Sequence, residues 1–313
     1  MTVRPLGFGA LIVILVCSGF MNALQARANG ELTRHIGNGV QAALISFTTG
    51  LVLLSVAVVV APAVRQGVAR IPAAVRAGQL RWWALPAGLL GGTFIACQSY
   101  STALVGVALF SVGMVSGQTI NSLIVDRVGL SPIGRTSVTA SRMTSAILAI
   151  LAVVLAVSGK TSGTAVSWTA MVVAFIGGCL VAVQQALNGR VNVASRQPIA
   201  TTWLNFVFGT AGLAVGVLVG IVFFGAQVQA PTSGPWWMYL GGLFGLIFIV
   251  TAAWSVPRYG VLVFALVTIA GQLTAALLLD TVAPVGDNRV QWTLVAGVLL
   301  TFVAVGIGAL RRS

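Results

Sequence analysis

Ten apolar stretches of about twenty residues each, separated by short polar breaks, decide what this chain can fold into. An α-helix rises about 1.5 Å per residue, so about twenty apolar residues match a hydrocarbon core of about 30 Å. The stretches cover 5–27, 38–61, 82–103, 105–125, 138–157, 167–189, 198–224, 236–256, 259–279 and 291–310. The longest connection, near 62–81, has 20 residues, so no soluble domain fits between them. Only 7% of the 313 residues are charged, against about 25% in a soluble domain, so the outer surface must face lipid. The expected fold is an all-α integral membrane protein with ten transmembrane helices, in a bacterial cytoplasmic (inner) membrane.

The same scarcity of charge removes other classes. The net charge is +13, but the basic residues stand singly, and nucleic-acid binding needs them clustered on a soluble fold. Cys17, Cys97 and Cys179 lie inside apolar runs, an odd number in segments that span lipid, which argues against disulfides. There is one His (His35) and no C-x-x-C, so neither a metal site nor a cofactor is expected. Glu31, Asp126, Asp280 and Asp287 are the only carboxylates; no pair is spaced for acid–base work, and no enzyme is expected.

Orientation follows from Lys and Arg. With a cytoplasmic N-terminus, 13 basic residues fall inside and four outside: Arg27, Arg34, Lys160 and Arg289. Both termini are therefore expected in the cytoplasm.

The chain also repeats itself. Residues 19–50 lie on 178–209 at a shift of 159: Gly19 on Gly178, Gln25 on Gln184, Asn29-Gly30 on Asn188-Gly189, Phe47 on Phe206, Gly50 on Gly209. Residues 82–126 lie on 236–280 at a shift of 154, with 15 identities in 45 columns where this composition yields about four by chance. Among them are Trp82-Trp83 on Trp236-Trp237, Gly117-Gln118 on Gly271-Gln272, and Asp126 on Asp280. The expected units are residues 1–158 and 159–313. Each holds five spans, an odd number, so the second enters the membrane from the opposite side: an inverted repeat, the arrangement suited to alternating access. Ala26-Arg27-Ala28 after an apolar run also resembles a signal-peptidase site. Its repeat partner, Ala182 to Arg190, lies in mid-chain, so the first span is expected to be retained.

Five plus five spans, Q-x-x-x-N-G at Gln25-Asn29-Gly30 and Gln184-Asn188-Gly189, and G-Q before Asp126 and Asp280 resemble the YdcZ-like branch of the drug/metabolite transporter superfamily, as two five-span units fused. The resemblance implies an EamA/DMT-like secondary-transporter fold with a cavity between the halves, lined by the first four spans of each.

Polar side chains inside spans are costly and mark candidate sites. Span one carries Asn22, Gln25 and Asn29 at i, i+3, i+7; span six carries Gln184, Gln185, Asn188 and Asn192; span four carries Gln118 and Asn121; span three carries Gln98; span nine carries Gln272. Tyr100 aligns with Trp254, with Tyr259 and Trp203 as further aromatics for stacking or gating. The alternative for every amide is a helix–helix hydrogen bond, worth about 0.6 kcal/mol. Asp126 and Asp280 end spans four and nine and are expected either to pair with Arg at the rim or to carry a coupling proton. Arg142 is expected to snorkel or to hold an anion. Gly106 and Gly260 are expected to turn the chain between spans three and four, and eight and nine.

The expected partners are a small-molecule substrate and the bilayer, for a monomer or homodimer. With no acid in mid-span, the expected substrate is neutral, zwitterionic or anionic. A membrane scaffold without transport, or a passive pore, stays open at this level.

Overall fold

A computed structural model describes residues 8–130, 132, 134–135, 139–158, 165–229, 234–259, 261–284 and 290–309. The element order is α1 (Phe8–Ile36), α2 (Gly39–Val60), α3 (Pro62–Arg76), α4 (Ala87–Val128), α5 (Ala140–Ser158), α6 (Ala165–Ser195), α7 (Pro198–Phe224), α8 (Gly241–Tyr259), α9 (Val261–Val282) and α10 (Trp292–Ala309). Short 3-10 turns at Trp82–Ala84 and Trp236–Leu240 lead into α4 and α8. Among the described residues, six helices are long and apolar enough to cross a membrane, and shorter apolar helices lie in α8, α9 and α10. The protein is an all-α, multi-spanning bundle.

Two expectations about connections change. α1 does not end near residue 27 but runs 29 residues to Ile36, about 43 Å, and α6 runs 31 residues to Ser195. Asn29-Gly30 and Asn188-Gly189 are therefore helical. Both helices stop at a left-handed residue, Gly37 (φ 68) and Arg196 (φ 53), equivalent at the shift of 159. Asn38 then caps α2, its Oδ1 accepting from the N–H of Val40 and Gln41 at 3.0 and 3.1 Å. The second change is in the connection at 62–81, which holds a helix. α3 starts with Pro62 at its first turn and buries Val64, Gly67, Ile71 and Ala74, spaced at i, i+3, i+7 and i+10. It is too short and too polar to span, so it lies against α6 and α7.

α4 is a hairpin of two arms. Its single non-helical residue is Gly106 (φ 84, ψ 173), a conformation open only to glycine. Following α6 from its start proves the reversal. Ala170 O accepts from Ser101, and Gly178 faces Met114. Then Gln184 meets Gly91, and Arg190 reaches Trp83, Gly129 and Leu130. First-arm partners fall from 101 to 83 while second-arm partners rise from 114 to 130. The two arms thus run antiparallel, and the expected turn at Gly106 is a one-residue break.

α6 packs on both arms of α4, and α1 packs on α8 and α9. These contacts are backbone to backbone. A Cβ on Gly19 would lie 2.2 Å from Thr268 O, and on Gly178 2.0 Å from Met114 O. On Gly271 it would lie 2.4 Å from Val16 O, and on Gly117 2.0 Å from Phe175 O. Each pair of contacts is related by the shifts 159 and 154. Without side chains in the way the helices close to van der Waals contact, which drives helix association in lipid. Phe47 and Phe206, also equivalent, stack with ring centroids 4.6 Å apart between α2 and α7. The main core gathers Val107, Leu109 and Phe110 of α4 with Ala23 and Ala26 of α1, Leu273 of α9, and residues of the packed pair α5 and α10.

Candidate functional site

The amides singled out in the sequence meet in pairs across helices. Asn22 Nδ2 donates to Gln272 Oε1 at 3.0 Å, joining α1 to α9. Gln118 Nε2 donates to Gln185 Oε1 at 3.1 Å, joining α4 to α6. Gln118 and Gln272 are equivalent, and each meets an amide of the long helix packed on it. Asn29 Nδ2 donates to buried Gln98 Oε1 at 3.0 Å, and Asn121 Nδ2 donates to Cys179 O at 2.7 Å. Gln184 and Asn188 converge on one acceptor, Asn205 Oδ1, at 3.0 and 3.1 Å.

Gln25 and Gln184 occupy equivalent seats. A Cβ at Gly245 would touch Gln25 Nε2 at 2.5 Å, and one at Gly91 would touch Gln184 Nε2 at 2.1 Å. Gly91 and Gly245 are themselves equivalent. Each long helix thus lays a glutamine over a glycine of the helix it packs on, α8 for α1 and the first arm of α4 for α6.

The acids differ. Asp126 pairs with Arg142. Asp280 turns inward, is 4% exposed, and accepts from the backbone N–H of Val107 and Ala108 at 3.0 and 2.7 Å. Arg190 donates to Leu130 O and Gly129 O at 2.6 and 2.9 Å and lies 5.7 Å over the Trp83 ring. It ties α6 to the backbone just past the end of α4.

Tyr100 is 39% exposed, and Trp203 Nε1 donates to Ser55 Oγ at 3.1 Å. The side chains of Trp254 and Tyr259 lie outside the described residues, as does Gly260. Trp82 and Trp236 are 73% and 74% exposed, as belts at a membrane interface are. Sequence reasoning passed over Asn205 and Ser46. They face each other in the 159 alignment as polar residues in apolar runs, and that was the available signal. Among the described residues no group of three His, Cys, Asp or Glu could hold a metal ion.

The family model described as "Putative inner membrane exporter, YdcZ" matches residues 10–155 and 169–307. The chain belongs to this family. It is a YdcZ-like member of the drug/metabolite transporter superfamily, a multi-pass inner-membrane protein of a transport-related class. A search of curated proteins finds no match.

Proposed function

We propose that this protein is a secondary transporter that moves a small neutral, zwitterionic or anionic metabolite across the inner membrane by alternating access. Residues 1–158 and 159–313 form its two five-helix repeats, of opposite topology, and both termini are cytoplasmic. Export is the direction in the family's description. The supporting observation is the duplicated interface: α1 meets α8 and α9 through the same glycines and glutamines by which α6 meets the arms of α4. Two halves with matching interfaces have two arrangements of similar packing energy. A substrate that binds both at the centre then needs only to let one close as the other opens.

A metabolite-library screen for thermal stabilisation, followed by counterflow in proteoliposomes, tests the reading. Saturable counterflow of a stabilising compound is expected. The bonded amide pairs also favour a scaffold that uses them only as helix glue; that reading requires no compound to stabilise the protein and no flux. Unsaturable flux without exchange would point to a pore.

A further inference from the structure

Beside the equivalent amides the two halves differ at one position of α2 and α7, and there buried hydrogen-bonding atoms are left without partners in the first half. Asn205 of α7 stands where α2 has Ser46. In the second half, Asn205 Oδ1 takes hydrogen bonds from both Gln184 and Asn188. In the first half Ser46 is too short to do so. The Gln25 side-chain amide makes no hydrogen bond among the described residues. Asn29 Oδ1 and Ser46 Oγ are fully buried without a partner. Gln25, Asn29 and Ser46 are 7%, 0% and 3% exposed. All three border one glycine face of α8: a Cβ on Gly241 would meet Asn29 Oδ1 at 2.2 Å and Ser46 Oγ at 3.0 Å, and one on Gly245 would meet Gln25 at 2.5 Å.

Buried polar atoms left without partners are rare, because each keeps its full desolvation cost. Two such atoms, Asn29 Oδ1 and Ser46 Oγ, lie together here beside the Gln25 amide, whereas Asn205, the equivalent of Ser46, is hydrogen-bonded. We propose that Gln25, Asn29 and Ser46 are the polar subsite of the substrate, and that the group they take is uncharged and carries both a donor and an acceptor: a carboxamide or a hydroxyl. This rests on the transporter reading and narrows its substrate class. Asn29 Oδ1 can only accept, so it needs a donor; the Gln25 amide offers both roles, and the Ser46 hydroxyl either. A carboxylate would face the Asn29 oxygen unfavourably, and an ammonium would find no counter-charge among the three. Of the charged residues of this turn, Arg27 Nη2 lies 3.9 Å from Glu31 Oε2 while Arg27 Nη1 is buried without a partner, both residues at positions off the Gln25–Asn29 stripe.

The test uses the full-length protein with Cys17, Cys97 and Cys179 replaced by Ala, and a single Cys at position 46 or 205. The probe is the neutral reagent 2-hydroxyethyl methanethiosulfonate. Ser46→Cys should react at least about tenfold faster than Asn205→Cys, because under this proposal its surroundings admit a small polar guest. Ser46→Asn installs the second half's acceptor. It should raise the apparent Tm, and it should weaken at least about tenfold the stabilisation of the wild type by carboxamides and polyols of the library; a loss of this kind follows when an introduced group occupies the partners a ligand needs. Asn205→Ser should keep that response. Should Ser46→Asn not fold, Gln25→Leu carries the same binding expectation. An unreactive Ser46→Cys overturns the subsite. So does a wild-type compound response in Ser46→Asn or Gln25→Leu, which would mean a pocket for water only. A wild type that answers no compound and shows no counterflow fails the transporter reading itself, and the subsite with it.

Discussion

Asp280, two residues from the end of α9, caps the second arm of α4: its carboxylate accepts from the N–H of Val107 at 3.0 Å and of Ala108 at 2.7 Å. Judged on its own helix, an acid at a C-terminus is unfavourable. Across the bundle it meets a helix N-terminus, where free N–H groups and the positive dipole end favour an anion. Gly106 makes this possible, since a Cβ there would lie 2.7 Å from Asp280 Oδ2.

Removing this cap should cost about 2 kcal/mol, the upper range for a charged cap. Asp280→Ala is therefore expected to lower the apparent Tm in detergent by about 4 °C or more, with Asp280→Asn in between. Asp126→Ala, whose partner Arg142 is 27% exposed, should cost about 1 kcal/mol or less. Equal shifts for the two aspartates would contradict the difference in their partners.

Arg190→Ala removes two hydrogen bonds to the end of α4 and the contact over Trp83. A loss of about 2–3 kcal/mol is expected. Arg190→Lys keeps the charge but not the two-pronged reach, and should recover less than half of it. Full rescue by Lys would mean that charge alone matters there.

Gly19→Ala and Gly178→Ala push a methyl into a carbonyl of the facing helix, at 2.2 and 2.0 Å. Both should reduce the folded yield severely and by similar amounts, because the backbones must separate. Gly306→Ala, with nothing within 4 Å, should be neutral or slightly stabilising. Size-exclusion profiles of the three variants measure this, and a monodisperse, wild-type-like Gly178→Ala would refute the tight packing.

Under the transport proposal, Cys introduced at Gln25 and at Gln184 should be labelled by hydrophilic reagents from opposite faces of the membrane, or with opposite dependence on a bound compound. Failure of both to react under any condition would mean that the two side chains are packed glue.

Transport of quaternary ammonium compounds should be weak, because no described span places an unpaired carboxylate among the amides. Robust flux of such a cation in proteoliposomes, lost in Asp126→Asn or Asp280→Asn, would reverse that expectation.

From the sequence alone came the apolar spans, their repeat at shifts of 159 and 154, and the family those imply. Lipid leaves little choice here: a backbone without water must hydrogen-bond internally, so each apolar run must become a helix. The amide stripes were legible for the same reason, since a period of 3.6 residues puts Asn22, Gln25 and Asn29 on one face. Which partner each stripe meets was not. Gln272 for Asn22 and Asn205 for Gln184 depend on which helices lie side by side, and the packing of non-neighbouring segments sets that. The ends of α1 and α6 were hidden because polar residues beyond the hydrocarbon stop the hydropathy signal, although the helices continue to Ile36 and Ser195. α3 was hidden because its apolar face is only four residues, too few to read as a span. Asp280 looked like a rim acid until the fold brought Val107 and Ala108 beneath it: a cap formed across the bundle has no local signature, since the two partners lie 173 and 172 residues apart in the chain.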